Sequence, residues 1–329
     1  MIEAAASQTK FSGLSGRALA VVLIVLVAAA ALPFALSTYQ VGLATEILIF
    51  GVLAMSIDIL AGFAGRTSLG HGAIFGVSGY VVVYASAQAG LPPAVAFVLG
   101  VLAATAVAVI FGLLAVRTSG VYFLLLTLAL GMIVWGICLR WTQVTGGENG
   151  MRGDVRPAFL VDHRAFYWAV LAGVTVTSCA MWRFVRSPFG LTLLGIRDSE
   201  SRMKSLGYNV PLHLFVGFAV SGFFAGIAGA FYAMFNNFVS PSTVALAQSV
   251  EGVLMMIAGG VGTLFGGFVG AAAIIALENL VSAYTERWQM VLGMTFILLM
   301  IFAPEGIIGT LRALFTRQER QSTVSTKGH

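Results

Sequence analysis

The sequence predicts an all-α, polytopic integral membrane protein of about ten transmembrane helices. Three observations predict it. Hydrophobic residues are 59% of the 329 and charged residues only 9%, with a mean hydropathy of +0.95; a soluble domain carries about 25% charged residues. The apolar residues fall in runs close to the ~20 that a helical span needs, separated by polar or Gly/Pro breaks. Lys and Arg gather on one side when those runs are threaded back and forth across a bilayer. This composition excludes a soluble fold, a disordered chain, a disulfide scaffold and a nucleic-acid-binding domain.

The runs are roughly 18–36, 41–61, 69–87, 94–116, 120–140, 164–184, 212–234, 245–260, 264–283 and 288–303. The first follows Lys10 and Arg17 but is long for a signal-peptide core and is followed by many spans, so it reads as an uncleaved helix. The second and third are separated by the cluster Gly62–Gly70, and the eighth and ninth by Gly259–Thr263. In both places glycines, not a charged loop, make the break. Such breaks mark interrupted helices that line a cavity. The fourth and fifth are parted by Arg117–Gly120. The sixth follows a longer outer loop, 141–163, and the seventh a longer inner loop, 185–211. The tenth precedes a basic, Ser/Thr-rich tail.

With the N-terminus in the cytoplasm, five of the 18 Lys and Arg fall outside, namely Arg140, Arg152, Arg156, Arg164 and Arg287, and 13 fall inside. Five of the inner ones crowd into 183–204. Both termini are therefore expected in the cytoplasm. The chain divides into a cytoplasmic tail (1–17), a transmembrane domain (18–311) and a basic cytoplasmic tail (312–329).

Motifs for chemistry are missing. No G-x-x-x-x-G-K-[ST] loop is present, so the chain has no ATP site of that kind. No G-x-S-x-G, H-E-x-x-H or paired-carboxylate pattern stands out, and no catalytic residue is assigned. His71, His163, His213 and His329 are scattered. Cys138 and Cys179 lie singly in apolar runs, which gives no structural metal site.

Three regions are candidates for function. In the inner loop, Leu191, Leu194, Ile196, Met203 and Leu206 are spaced as in short amphipathic helices among charges, a pattern suited to docking another protein. Within the spans, Asp58, His71 and Glu251 lie beside glycine breaks, and Glu46 and Glu278 lie further along. A charge inside a membrane faces a cavity or a partner. Asp58 comes within reach of Arg66 if the chain turns at Gly62 and Gly65. Small-xxx-small spacings at Gly72/Gly76, Gly222/Gly226 and Gly262/Gly266/Gly270 allow close helix approach. The third region is the outer-loop stretch Thr145 to Gly150.

These residues carry a resemblance. The segment Gly65-Arg66-Thr67-Ser68-Leu69-Gly70-His71-Gly72-Ala73-Ile74-Phe75-Gly76 resembles G-x-x-S-L-G-H-A-A-F-F-G of branched-chain amino acid ABC transporter permeases of the LivM type. Matches follow in order: Arg117 to Phe123; Thr145-Gly146-Gly147-Glu148-Asn149-Gly150; Ser187-Pro188-Phe189-Gly190; Ile196-Arg197-Asp198; Leu206-Gly207; Ser240-Pro241; Ser249-Val250-Glu251; Gly259 to Thr263; and Pro304-Glu305-Gly306. The resemblance covers about 40–309. Gly267 departs from it where proline is common, and Glu305 where a basic or neutral residue is.

The resemblance implies the ABC importer permease fold and half of a translocation path that works by alternating access. A second related (LivH-like) permease, two cytoplasmic ATP-binding subunits and an extracytoplasmic substrate-binding protein would complete the importer in a bacterial cytoplasmic membrane. This chain would bind no cofactor; its ATPase partners would use ATP and Mg. Ser187, Pro188, Gly190, Arg197, Asp198, Glu200, Arg202 and Gly207 would form the ATPase-coupling loop. Asp58, Gly65, Ser68, His71, Glu251, Gly259 and Gly262 would flank the path. Gly146, Gly147, Glu148 and Asn149 would meet the binding protein. Leucine, isoleucine and valine lead as substrates; other amino acids, urea, amides and small organic acids stay open. The intramembrane carboxylates also suit an ion-coupled secondary transporter of small polar solutes, and a channel or scaffolding subunit is a third class.

Overall fold

The structure, a computed structural model, describes residues 16–284 and scattered positions between 290 and 309. Helix α1 spans Gly16–Ala35, and α2 spans Thr38–Asp58 and runs on through a π-helical turn, Ile59–Phe63. Then come α3 (His71–Ala87), α4 (Pro93–Ala115), α5 (Val121–Arg140) and a single turn, α6 (Thr142–Thr145). The loop 146–162 adds the short strand β1 (Met151–Arg152) before α7 (His163–Val185). Two short helices follow, α8 (Pro188–Asp198) and α9 (Glu200–Ser205), and then α10 (Val210–Asn236). Strand β2 (Phe238–Val239), α11 (Leu246–Gly259) and α12 (Gly266–Ser282) complete the described elements.

Nine of the ten apolar runs are thus helices, with ends within a few residues of those expected. The run 288–303 lies largely outside the described residues, as do the segment 1–15 and the tail 312–329. Five helices are long and apolar enough to cross a bilayer alone: α2 with its π turn, α4, α5, α7 and α10. The others are shorter. Helix α11 has 14 residues, about 21 Å of rise, less than a hydrocarbon core of about 30 Å. The glycine breaks explain the shortening, because the chain leaves the helix there before it has crossed.

Local chemistry starts the helices. Ser37 accepts from the Gln40 amide while the Gln40 side chain accepts from the Ser37 amide, a reciprocal cap on α2. Ser187 caps α8, with Pro188 at its first position, and Ser199 caps α9. Asn209 caps α10, which ends on Asn237 in the left-handed conformation.

Helix α2 is the axis. Every residue from Ile49 to Leu60 is buried, because α7, α10, α11 and α12 all pack on it; a helix apolar on every side has to be surrounded. Helices α3, α4 and α10 form a second tight group. There Gly222 and Gly226 lie against Ala108 and Ala104, so close that a Cβ on Gly226 would come within 2.6 Å of the Ala104 methyl. This is small-residue packing of the kind membrane helices use in place of hydrophobic drive. Helix α5 leaves an apolar face bare, including Tyr122, Leu125 and Ile133. At the end opposite α8–α9, β1 pairs antiparallel with β2, Met151 facing Val239 and Arg152 facing Phe238.

Candidate functional site

The two glycine breaks meet. Asp58, the last residue of α2, is 2% exposed. Its Oδ1 accepts from the Gly262 amide at 2.7 Å and its Oδ2 from the Leu264 amide at 2.9 Å. One carboxylate therefore spans from the α2 break to the turn between α11 and α12. Directly beside it, Gly62 lies backbone to backbone with Gly262: a Cβ on Gly62 would collide with Asp58 Oδ1 and lie 2.5 Å from the Gly262 nitrogen. Gly262 itself has φ +78, a left-handed conformation that favours glycine.

The α8–α9 segment is tied into this junction. Arg197, near the end of α8, donates from Nη1 to the Gly62 carbonyl. Its aliphatic stem packs where a side chain on Gly65 would sit. Arg66 Nη2 donates to Glu200 Oε2 at 2.7 Å, and Arg66 Nη1 to the Thr118 carbonyl at 3.1 Å. Lys204 meets the other Glu200 oxygen at 2.9 Å. Lys204, and then Arg66, hold the Glu200 carboxyl below the usual glutamate range. Arg66 thus pairs with Glu200 and not with Asp58, whose two oxygens are occupied by amides. Glu200 is half-buried against the membrane helices; Arg197 reaches them from an exposed position, and Asp198 and Arg202 are exposed.

Of the apolar positions spaced as in short amphipathic helices, Ile196 is buried, together with Leu193, while Leu191 and Leu206 are exposed. The extended backbone of Ser199 (φ −163, ψ 98) separates α8 from α9, so the segment is two short helices. Gly190 packs on the Val185 and Phe184 carbonyls. Gly207 ends this arm at φ +86. Leu191, Leu206, Tyr208 and Leu212 are exposed apolar residues of this segment, and Arg186, Arg202 and Lys204 are exposed cations of it.

His71 begins α3 and is fully buried. Its Nε2 lies 2.7 Å from Ser221 Oγ, and Ser221 donates to the Ser56 carbonyl at 2.5 Å. Because the serine proton goes to Ser56, Nε2 carries the hydrogen and Nδ1 is left without a partner among the described residues. Ser68 is buried and accepts from the Gly70 amide at 3.1 Å. Ser249 Oγ accepts from the Gly72 amide at 2.9 Å, which docks α3 on α11. Gly259 abuts Gly266 across the α11–α12 turn. Glu251 lies apart from the junction: with Glu46 on α2 and Glu278 on α12 it forms a group of half-buried carboxylates within electrostatic reach of one another and of Tyr232.

In the outer loop, Gly146, Gly147 and Gly150 all have positive φ and bring Glu148 and Asn149 to an exposed tip. The loop is fastened by Arg156, a residue that sequence reasoning did not single out. Arg156 Nε donates to the Met234 carbonyl at 2.6 Å and Nη2 to the Phe235 carbonyl. Its guanidinium lies 4.4 Å from the Phe166 ring centroid. Those carbonyls are the free C-terminal acceptors of α10, which attract cations; nothing near Arg156 in sequence announces them.

Apolar helices interrupted at paired glycine turns, with a charged arm tied to the interruption, define a multi-pass membrane permease. The chain belongs to the family described as branched-chain amino acid transport system / permease component, which matches residues 39–302. It is the permease subunit of an ABC-type importer and works with other components of such a system. It is 26% identical over 314 residues to the high-affinity branched-chain amino acid transport system permease protein LivM of Salmonella typhimurium and to that of Escherichia coli, covering 87% of this chain and 74% of each relative. It is also 25% identical over 197 residues to the autoinducer 2 import system permease protein LsrC of Klebsiella pneumoniae, covering 56% of this chain and 54% of that one. No solved structure matches it.

Proposed function

We propose that this chain forms half of the translocation path of an ATP-driven importer for branched-chain or related amino acids, and that α8–α9 is the arm through which ATPase partners work the path. A second, related permease supplies the other half. Two cytoplasmic subunits hydrolyse ATP with Mg, and an extracytoplasmic binding protein delivers substrate to the outer loop around Glu148 and Asn149. The chain itself hydrolyses nothing. It sits in the bacterial cytoplasmic membrane with both termini inside, the permease domain at 18–311 and cytoplasmic tails at 1–17 and 312–329.

The observation that carries this reading is the pair of tethers from α8–α9 to the α2 break, Arg197 to the Gly62 carbonyl and Glu200 to Arg66. A solvated connector has no need to grip an interrupted helix. Leu191, Leu206, Tyr208 and Leu212 give an ATPase cleft apolar area to bury, and Asp198 and Arg202 give it charges to pair with. ATP binding closes the ATPases and shifts the arm; the arm shifts the breaks, and access to the path alternates. Glu251, with Glu46 and Glu278, gives the path carboxyl groups that suit the ammonium group of an amino acid. The binding protein makes most of the substrate selection.

Co-purification from the native membrane, followed by uptake in proteoliposomes, tests the reading. Leucine, isoleucine or valine uptake should require ATP, the ATPase subunits and the binding protein together. Uptake by the purified chain alone, driven by an ion gradient, would overturn it in favour of a secondary transporter.

A further inference from the structure

We infer that the two glycine breaks, at 59–70 and 259–266, move as a single hinge, with Arg197 as the positioning residue that drives it and Asp58 as the clasp that makes it one piece. This rests on the coupling role of α8–α9 and goes further by naming the side chains through which the displacement passes.

Four groups from three parts of the chain meet at one point. Arg197 comes from α8, Asp58 and Gly62 from the end of α2, and Gly262 from the turn between α11 and α12. The Arg197 guanidinium grips the Gly62 carbonyl. Its Nη1 lies 3.6 Å from where a Cβ on Gly262 would be. Gly62 and Gly262 touch with no side chain between them, so a push on one backbone is felt directly by the other. Contact alone transmits a push and not a pull. Asp58 supplies the pull, because both its oxygens are bonded to amides of the second break, at 2.7 and 2.9 Å. Hydrogen bonds to an ionised group are about twice as strong as neutral ones, and here they are shielded from water.

The same geometry removes Asp58 from contact with substrate. A carboxylate only 2% exposed, with each oxygen turned to a backbone amide, is closed off from a passing ammonium group. Its charge instead serves the junction, where Arg197 is the neighbouring cation. Arg197 also lies 3.5 Å from Asp198 Oδ1 on its exposed side. The guanidinium therefore bridges the surface of the arm and the buried hinge.

The experiment uses the assembled importer in proteoliposomes and reads substrate moved per ATP hydrolysed. Arg197→Ala and Asp58→Asn should each lower that ratio about 10-fold while hydrolysis continues, within the usual range of coupling between sites. The double variant should be no worse than the poorer single one, because both interrupt the same line. Arg197→Lys, which keeps a donor for Gly62, should recover most of the ratio. Losses that multiply in the double variant, or full coupling in Arg197→Ala, would overturn the inference. A failure of the underlying coupling role looks different: charge reversal at the exposed Asp198 and Arg202 would then leave the ratio unchanged.

A second measurement does not depend on the variants folding. Spin labels at Thr67 in the first break, which is half-buried, and Val261 in the second, which is exposed, are placed in a chain carrying Cys179→Ser. Their separation should stay constant when ATP binds, while each moves relative to a label at Tyr122 on α5. A separation that changes by several ångströms on ATP binding would show two independent breaks and end the proposal.

Discussion

Arg66 and Glu200 form a 2.7 Å ion pair between the connection that follows α2 and the first turn of α9, with Arg66 only 9% exposed and Glu200 37%. The asymmetry decides what each substitution does. An exposed pair contributes about 0–1 kcal/mol, but a guanidinium this deeply placed suffers if its carboxylate is removed. Glu200→Lys should therefore lower thermal stability in detergent and reduce uptake per ATP, since it adds repulsion to the lost bond. The swap Arg66→Glu with Glu200→Lys should recover part of both. A swap as damaged as the worse single variant would show that the pair is incidental to the arm.

The same pair sets a pH dependence. Glu200 is held below its ordinary value, first by Lys204 and then by Arg66. Its contribution is therefore complete above the ordinary glutamate pKa of about 4.3, and it is lost as pH falls through the lower folded value. Because the carboxylate is more than a third exposed, solvent screening keeps the stability change small. Wild-type protein should lose an increment of thermal stability on acidification below about pH 4.3 that Glu200→Gln lacks. Parallel pH profiles for the two proteins would remove the assignment.

Glycine substitutions separate space from conformation. Gly62→Ala puts a methyl 2.5 Å from a backbone nitrogen; the neighbours cannot rotate away, so assembly should fail or stability fall steeply. Gly262→Ala has room, its nearest neighbour being 3.6 Å from the new carbon. Its φ of +78 should still cost about 1–2 kcal/mol. Gly136→Ala on α5, with nothing within 4 Å, should be neutral. Melting of the three variants in one detergent checks the order, and a Gly62→Ala protein as stable as wild type would contradict the close backbone contact.

Much of this was legible in the sequence, and what was not shares one cause. The spans follow from run length and composition, and the breaks from glycine clusters that no helix tolerates cheaply. The close crossings at Gly222 and Gly226 follow from their four-residue spacing. Partners were not legible, because they are distant in sequence. Asp58 suggests Arg66 as a neighbour, yet its bonds go to Gly262 and Leu264, more than 200 residues on. Gly262 reads as a packing glycine beside Gly266 and Gly270; the structure gives Gly266 and Gly270 the tight contacts and Gly262 the left-handed turn. On α8–α9, spacing implied short helices, and the break at Ser199 divides two of them; which apolar positions are buried was not legible, since Leu193 and Ile196 pack inward while Leu191 stays exposed.

His71 offers the last test, because its sequence context suggested the path and its surroundings suggest a fastener. It is wholly buried and donates to Ser221, which donates to the Ser56 carbonyl and so joins α3, α10 and α2. Ser221→Ala would strand both the imidazole N–H and the Ser56 carbonyl. Buried groups without partners cost about 1–3 kcal/mol, although hydrogen bonds between membrane helices average nearer 0.6 kcal/mol. A loss of about 1–2 kcal/mol in stability is expected on that basis. Replacing both side chains with apolar groups, as in His71→Leu with Ser221→Ala, should cost less than the sum of the single changes, since the imidazole N–H is then removed and only the Ser56 carbonyl loses its bond. If the chain of bonds only fastens helices, the substrate concentration for half-maximal uptake should be the same in Ser221→Ala and wild type. A large shift in that concentration at unchanged stability would return His71 to the path.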